Sequence, residues 1–276
     1  MRVGLVQLRS GEDRNANLER IAEAVRQAAA SGCELVALPE ACTYRGPFAA
    51  DLVEDLGGPV LSRIGALAAE HGIRVLVGGI WLRSPRPDRP YNSAVLIDRD
   101  GQPVAVYRKV HLFQIDDDDV VEQESAFTSP GDELVAVGCG EHTLGLSICY
   151  DLRFPEVYRN LVDVGATVLC VPANFAVRTG RSHWEALLRA RAIENLSYVV
   201  APAQIGPDST GFEAYGHSMV VDPWGTVLAT AADDELLITA DLSGKRVADC
   251  RSTLPALGDV RPDVYAKPVR GEQYGE

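Results

Sequence analysis

The sequence predicts an α/β protein: two mixed β-sheets packed face to face, with helices on the outside. Three observations predict it. Short apolar runs alternate with amphipathic stretches of helical period along most of the chain. The second half adds hairpin signals that a purely parallel, doubly wound sheet would not carry. No Pro-, Gly- or Ser-rich linker and no shift in composition divides the 276 residues, so one domain is expected over 1–276, with a core over about 2–265. No repeat of solenoid or propeller period is found.

The elements follow in order. Val3–Leu8 reads as a buried strand. Asp13–Ser31 reads as a helix because Leu18, Ile21, Ala22, Val25 and Ala29 share one face, and Gly32 stops it. Leu35–Leu38 is the next strand and runs into Pro39-Glu40. Pro59–Glu70 is helical, with Leu61, Ile64 and Ala68 as its stripe, and Arg74–Gly78 is a strand. Ala94–Ile97 and Pro103–Tyr107 flank the hairpin turn Asp98-Arg99-Asp100-Gly101. Leu134–Val137 pairs with Thr143–Ile148. Phe154-Pro155-Glu156 opens a helix, with proline in the first turn, where its missing N–H costs nothing. Val168–Val171 is a strand. Arg181–Leu196 is a helix with Trp184, Leu187, Leu188, Ala192 and Leu196 on one face. Tyr198–Ala201, Ser218–Val221, Val227–Ala229 and Leu236–Ala240 complete the strands, with Asp222-Pro223-Trp224-Gly225 as a turn. The tail after Leu257 is polar and irregular; it either frays or reaches across to a partner subunit.

Composition narrows the function. Hydrophobic residues make up 46% and charged residues 24%, which is ordinary globular chemistry. The formal net charge of −13 argues against nucleic acid and against an anionic membrane surface, both of which need clustered cations. The N-terminal run Met1–Leu8 turns polar at once, too short for a secretory segment, and no apolar run is long enough to span a bilayer. Six cysteines (33, 42, 139, 149, 170 and 250) show no C-x-x-C pair, so reduced thiols and a cytoplasmic location are expected. There is no Walker motif, no G-x-G-x-x-G after a strand and no zinc-ligand spacing. Gly216-His217-Ser218-Met219-Val220 begins like a nucleophile elbow but lacks the final glycine.

Cys149 ends the apolar run Leu144–Ile148 and precedes an abrupt change to Tyr150-Asp151-Leu152-Arg153-Phe154-Pro155. A strand end leading into a helix presents a side chain at a cleft, with backbone N–H groups pointing at whatever binds. The alternative is an inert core cysteine, the reading kept for the other five. A nucleophilic thiol needs a base and an oxyanion partner. None of the five histidines has an evident catalytic context, with His111 and His217 left open. Glu40 follows Leu35-Val36-Ala37-Leu38-Pro39 at the carboxyl end of a buried strand, the edge where α/β sites gather; the alternative is a solvated loop glutamate. Lys109, in Tyr107-Arg108-Lys109-Val110-His111-Leu112-Phe113, either holds a carboxylate or an oxyanion or is a strand-end surface lysine.

From Val3 to about Tyr265 the chain resembles the nitrilase superfamily of carbon–nitrogen hydrolases. The resemblance is carried by Leu38-Pro39-Glu40, by Tyr107–Phe113 and by Ile148–Glu156, with support from His183–Glu194 and Tyr215–Gly225. It implies a four-layer α-β-β-α sandwich, a triad of Glu40, Lys109 and Cys149, and subunits paired sandwich to sandwich as a homodimer or higher homo-oligomer. It also implies a thiol amidase acting on a small amide, such as an ω-amide or a deaminated-glutathione-like acid, through a thioester that releases ammonia, with no metal or organic cofactor. Within the resemblance, Glu124 is the second glutamate, holding Lys109 and orienting the amide, with Glu122 its rival by register. Arg153 grips a substrate carboxylate, the alternative being a helix-start arginine paired with Asp151 or Glu156. Tyr150 offers its backbone N–H, Phe175 lines the pocket with its N–H toward substrate, and Tyr44 lines the opposite wall. Asp116-Asp117-Asp118-Asp119 departs from the relatives and reads as a solvated rim. Hydrolysis of an N-carbamoyl amino acid or a simple aliphatic amide is the alternative reaction. A scaffold or redox sensor with an inert triad is the non-enzymatic one.

Overall fold

In the computed structural model, which describes residues 1–117 and 120–266, the apolar runs assemble into two six-stranded sheets. The first has the order Leu236–Asp241, Arg2–Gln7, Leu35–Ala37, Arg74–Leu82, Tyr91–Ile97, Pro103–Arg108. The second, taken from its Val135–Cys139 edge, runs His142–Leu146, Val168–Cys170, Tyr198–Ala201, Met219–Val221, Val227–Thr230. Read in these directions, both sheets show the same succession of pairings: antiparallel, parallel, parallel, antiparallel, antiparallel. Both are therefore mixed, as expected.

The two-residue period of a strand sorts the first sheet into two faces. Val3, Leu5, Leu35, Ala37, Leu76, Ala94 and Leu96 join the apolar cluster shared with the second sheet. Their neighbours Val6, Val36, Leu38, Val75, Val77, Val95 and Ile97 face outward, onto Leu18, Ile21, Val25, Val60, Leu61 and Ile64 of helices Arg14–Ala30 and Pro59–His71. Helices Pro155–Asp163 and Val177–Asn195 contribute Val157, Leu161, Trp184 and Leu188 to the cluster of the second sheet. The layering is helix, sheet, sheet, helix.

Several elements differ from the sequence reading. The strand from Arg74 does not stop at Gly78 but continues to Leu82, with a register shift between Val77 and Ile80. Gly78-Gly79 forms a bulge within it. A Cβ at Gly78 would lie 2.1 Å from the Leu38 carbonyl oxygen, and one at Gly79 would lie 3.1 Å from Glu40 Cγ. The glycine pair thus lets the segment ending in Glu40 lie against the bulge. Gly78→Ala should lower stability by about 3 kcal/mol, read from urea denaturation, and should lower turnover because it displaces Glu40; a wild-type melt would sink this account.

Helix Val177–Asn195 starts a turn before Arg181, and Val177–Gly180 carries no apolar stripe to mark that turn in the sequence. Gly180 is buried instead against the Tyr215 ring, 2.4 Å from where its Cβ would be. Helix Gly244–Thr253 was not foreseen, since only Val247 and Cys250 are buried in it. A hairpin of Ile205–Pro207 with Glu213–Tyr215 was also missed. The segment after Leu257 holds two short helical turns, Ala256–Asp259 and Pro262–Tyr265, rather than irregular chain. Asp118, Asp119 and residues 267–276 lie outside the described residues, as do the side chains of Asp116, Asp117 and Glu122. All six cysteines are free and buried. Among the described residues no helix is long and apolar enough to cross a membrane.

Candidate active site

Glu40, Lys109 and Cys149 converge. Each follows the end of a strand: Leu35–Ala37, Pro103–Arg108 and His142–Leu146 respectively. They open on one cavity of about 360 Å³, which Glu124, Asn92, Asn174, Arg153, Phe175, Tyr150 and Tyr44 also line. Every predicted site residue is therefore at the cavity.

At its centre, Lys109 Nζ donates to Glu40 Oε1 at 2.9 Å and to Glu124 Oε2 at 2.8 Å. The lysine side chain is only 2% exposed. Asn92 Nδ2 donates to Glu40 Oε1 at 2.9 Å and to Glu124 Oε1 at 3.0 Å, tying the carboxylates together a second time. Backbone N–H groups complete the shell: Asn174 donates to Glu40 Oε2 at 2.9 Å, and Phe113 to Glu124 Oε2 at 2.8 Å. Buried charges persist only when paired and hydrogen-bonded in this way. The alternatives of a solvated loop glutamate and a surface lysine do not hold.

Cys149 is 7% exposed and sits at φ +48°, a left-handed backbone that a non-glycine residue seldom adopts. Asp151, fully buried, holds the backbone around it. Asp151 Oδ2 accepts from the Ile148 N–H at 2.9 Å and the Tyr107 hydroxyl at 2.7 Å. Its Oδ1 accepts from the His111 N–H at 3.1 Å and lies 2.9 Å from His111 Nδ1. Tyr107 and His111 stand two residues to either side of Lys109, so one carboxylate locks the nucleophile's turn to the lysine's strand end. The Cys149 N–H is committed to the Pro172 carbonyl at 2.9 Å.

The electrostatics follow from one ammonium set among two carboxylates. Burial pushes the Glu40 carboxyl up, but the Lys109 charge and the donors around it outweigh that and hold it below the ordinary glutamate value. Burial pushes Lys109 down, while Glu124 and Glu40 outweigh it and hold the ammonium well above its ordinary value. Burial and the Glu40 charge push the Cys149 thiol well above the ordinary range, against the opposing pull of Lys109. Both directions favour a protonated thiol beside an ionised Glu40 over a standing thiolate.

Arg153 is half-buried, its guanidinium 5.0 Å from the Phe175 ring centre and 5.8 Å from that of Tyr150, and Nη1 is 3.1 Å from His183 Nδ1. No carboxylate among the described residues pairs with it, because Asp151 is spent on the backbone. Tyr44 hydrogen-bonds the Pro47 carbonyl at 3.0 Å and stands 6.0 Å from Trp81. His111 stacks on Phe154, and His217 bonds the Tyr215 carbonyl; neither lines the cavity. Among the described residues no group of three or more His, Cys, Asp or Glu side chains is arranged to hold a metal.

The sequence reading missed Asn92, Asp151, Asn174 and an aromatic wall of Phe48, Trp81 and Phe127, in which Phe48 lies 4.9 Å from Trp81 and 5.8 Å from Phe127. Only Asp151, two residues beyond the cysteine, carried a positional signal.

The carbon-nitrogen hydrolase family model matches residues 2–252. Deaminated glutathione amidase of Homo sapiens is 40% identical over 274 residues, covering 95% of this chain and 83% of the relative. Omega-amidase NIT2 of Homo sapiens is 35% identical over 272 residues, covering 96% of each. The NitFhit protein of C. elegans superposes with a TM-score of 0.90 at 34% identity, covering 99% of this chain and 68% of that one. A glutamate-to-glutamine mutant of the amidase from Nesterenkonia sp. AN1 superposes with a TM-score of 0.80 at 27% identity, covering 96% of this chain and 95% of that one; it shows covalent addition of the acetamide moiety of fluoroacetamide at its active site cysteine. By its sandwich fold and by these matches, the chain belongs to the carbon-nitrogen hydrolase family and is an enzyme acting on carbon–nitrogen bonds.

Proposed function

We propose that this chain is a thiol amidase that hydrolyses a small carboxylate-bearing amide, an ω-amide or a deaminated-glutathione-like acid, to the acid and ammonia. One observation carries the reading: a buried ammonium clamped between two carboxylates beside a buried thiol, in a cavity where Arg153 has no carboxylate partner among the described residues. The names of the two human relatives agree with it.

In this reading Glu40 takes the Cys149 proton as sulfur attacks the amide carbon. Negative charge passes from carboxylate to sulfur within the field of Lys109, so the site's net charge does not change. The carbonyl oxygen becomes an oxyanion. An ammonium has three N–H donors, and two are held by Glu40 and Glu124, leaving the third for the oxyanion. With the Cys149 N–H committed to Pro172, the Tyr150 N–H is the next backbone donor at the turn. The proton on Glu40 leaves with the amine as the C–N bond breaks. Water, deprotonated by Glu40, then cleaves the thioester and restores the thiol. Glu124 holds Lys109 and orients the amide. Phe175 and Tyr44 shape the pocket, and Arg153 pairs with the substrate carboxylate. We further read residues 1–276 as one catalytic domain acting as a cytoplasmic homodimer.

The test is ammonia release from α-ketoglutaramate, deaminated glutathione, simple amides and N-carbamoyl acids, with Cys149→Ala as the blank. Equal release by wild type and blank across the panel ends the amidase reading, and carbon dioxide alongside ammonia would redirect it to a carbamoyl substrate. Arg153→Ala should raise KM for acidic amides by about 10–100-fold, the loss of one charge-assisted pair. Equal losses on neutral amides would remove Arg153 from substrate recognition.

A further inference from the structure

We infer that the Asn174 side chain is a specificity-determining contact: its Oδ1 accepts a hydrogen bond from the scissile amide's N–H and so selects amides over esters of the same acid. The inference rests on the amidase reading above.

Asn174 lines the cavity, and its buried Oδ1 has no hydrogen-bond partner among the described residues. Its backbone N–H donates to Glu40 Oε2 and also faces the Cys149 sulfur, so the side chain is rooted at the reacting centre. The segment is rigidly held. The Ala173 N–H bonds the Pro202 carbonyl and the Ala173 carbonyl accepts from Gln204, both at 2.9 Å, and the Phe175 carbonyl accepts from the Tyr215 N–H at 2.7 Å.

An inventory of donors and acceptors sets its role. The Asn92 amide and the Asn174 and Phe113 N–H groups are all spent on Glu40 and Glu124, and Lys109 keeps one donor for the oxyanion. The leaving NH₂ group brings two N–H donors of its own and needs acceptors. Glu124 Oε1, which among the described residues receives only Asn92, can take one. Asn174 Oδ1 is the unpartnered acceptor for the other. A buried acceptor left unmatched is costly, so a ligand supplying the N–H is favoured over an isostere that does not. An ester, with an alkoxy group where the amide has NH₂, leaves Oδ1 unmatched.

The experiment compares succinamate with monomethyl succinate, which share an acyl group and a carboxylate, in wild type, Asn174→Ala and the bulkier Asn174→Leu. Both variants should lose about 10–100-fold in kcat/KM on succinamate while the ester rate stays within about threefold. The ester rate reports on an intact fold and nucleophile. Parallel losses on both substrates, or no loss on the amide, overturn the contact. Wild type that releases ammonia from no amide fails the amidase reading itself, a different result from normal amide turnover with an unselective Asn174 variant.

Discussion

Lys109→Met should reduce kcat by at least about two orders of magnitude, the usual cost of one oxyanion donor, and lower stability by about 3–5 kcal/mol, because it leaves buried carboxylates without their cation. The stability loss carries a signature in pH. In wild type the Glu40 carboxyl is held below its ordinary value, so its contribution is fully present above the unfolded value of 4.5 and is lost as pH falls through the folded one. Lys109 is held above 10.5, so its contribution is complete below that value and is lost only as pH rises through the higher folded one. Without the ammonium, burial is left to act on Glu40 and favours its protonated form. The variant then gains relative to wild type as pH falls. The gap between the two melting temperatures should be widest near pH 8 and narrow toward pH 5. A gap that stays constant over this range, or a kcat within tenfold of wild type, would contradict the role given to Lys109.

Asp151→Ala should be nearly as damaging although Asp151 is set behind the nucleophile. Removal strips acceptors from the Ile148 and His111 N–H groups and from the Tyr107 hydroxyl, and Ile148 and Tyr107 are fully buried. Losses of that kind reach about 3–5 kcal/mol. It also frees Cys149 to leave its left-handed backbone, and a misplacement of about 1 Å can cost about 100-fold in rate. Asp151→Asn separates the two effects. The amide keeps the volume, but its NH₂ must oppose one of the backbone N–H donors whichever way it turns. Its kcat should fall about 10–100-fold with little change in KM, since no substrate contact is lost. Steady-state kinetics with a thermal melt decides the matter, and an Asp151→Asn enzyme with wild-type kcat would refute the positioning account.

The layers were legible because they depend on local period. The short apolar runs Val3–Leu8 and Leu35–Leu38, and the 3.6-residue stripe in Asp13–Ser31, are read directly from side-chain order, and those elements lie within two residues of their expected limits. Helix Gly244–Thr253 was illegible because it buries too little to leave a stripe. The strand expected over Arg74–Gly78 falls short of Leu82 because glycine marks both strand ends and bulges, and only the approach of Leu38 and Glu40 tells them apart. In the site, Glu40, Lys109 and Cys149 were weak one at a time and became specific through family resemblance. Asn92 and Asn174 were invisible for a plainer reason. An asparagine gains its meaning from what it faces, and their partners lie 52 and 134 positions away.

The matched pairing order of the two sheets has a bearing on how catalytic competence is acquired. Glu40, Lys109 and Glu124 belong to the first half of the polypeptide, Cys149 and Asn174 to the second, and the sheet edge Leu236–Asp241 threads back to close the first. Neither half carries a complete set of reacting groups. During refolding from denaturant, turnover should return with the docking of the halves rather than with the recovery of helical signal, making the enzyme's own chemistry a clock for its final assembly step.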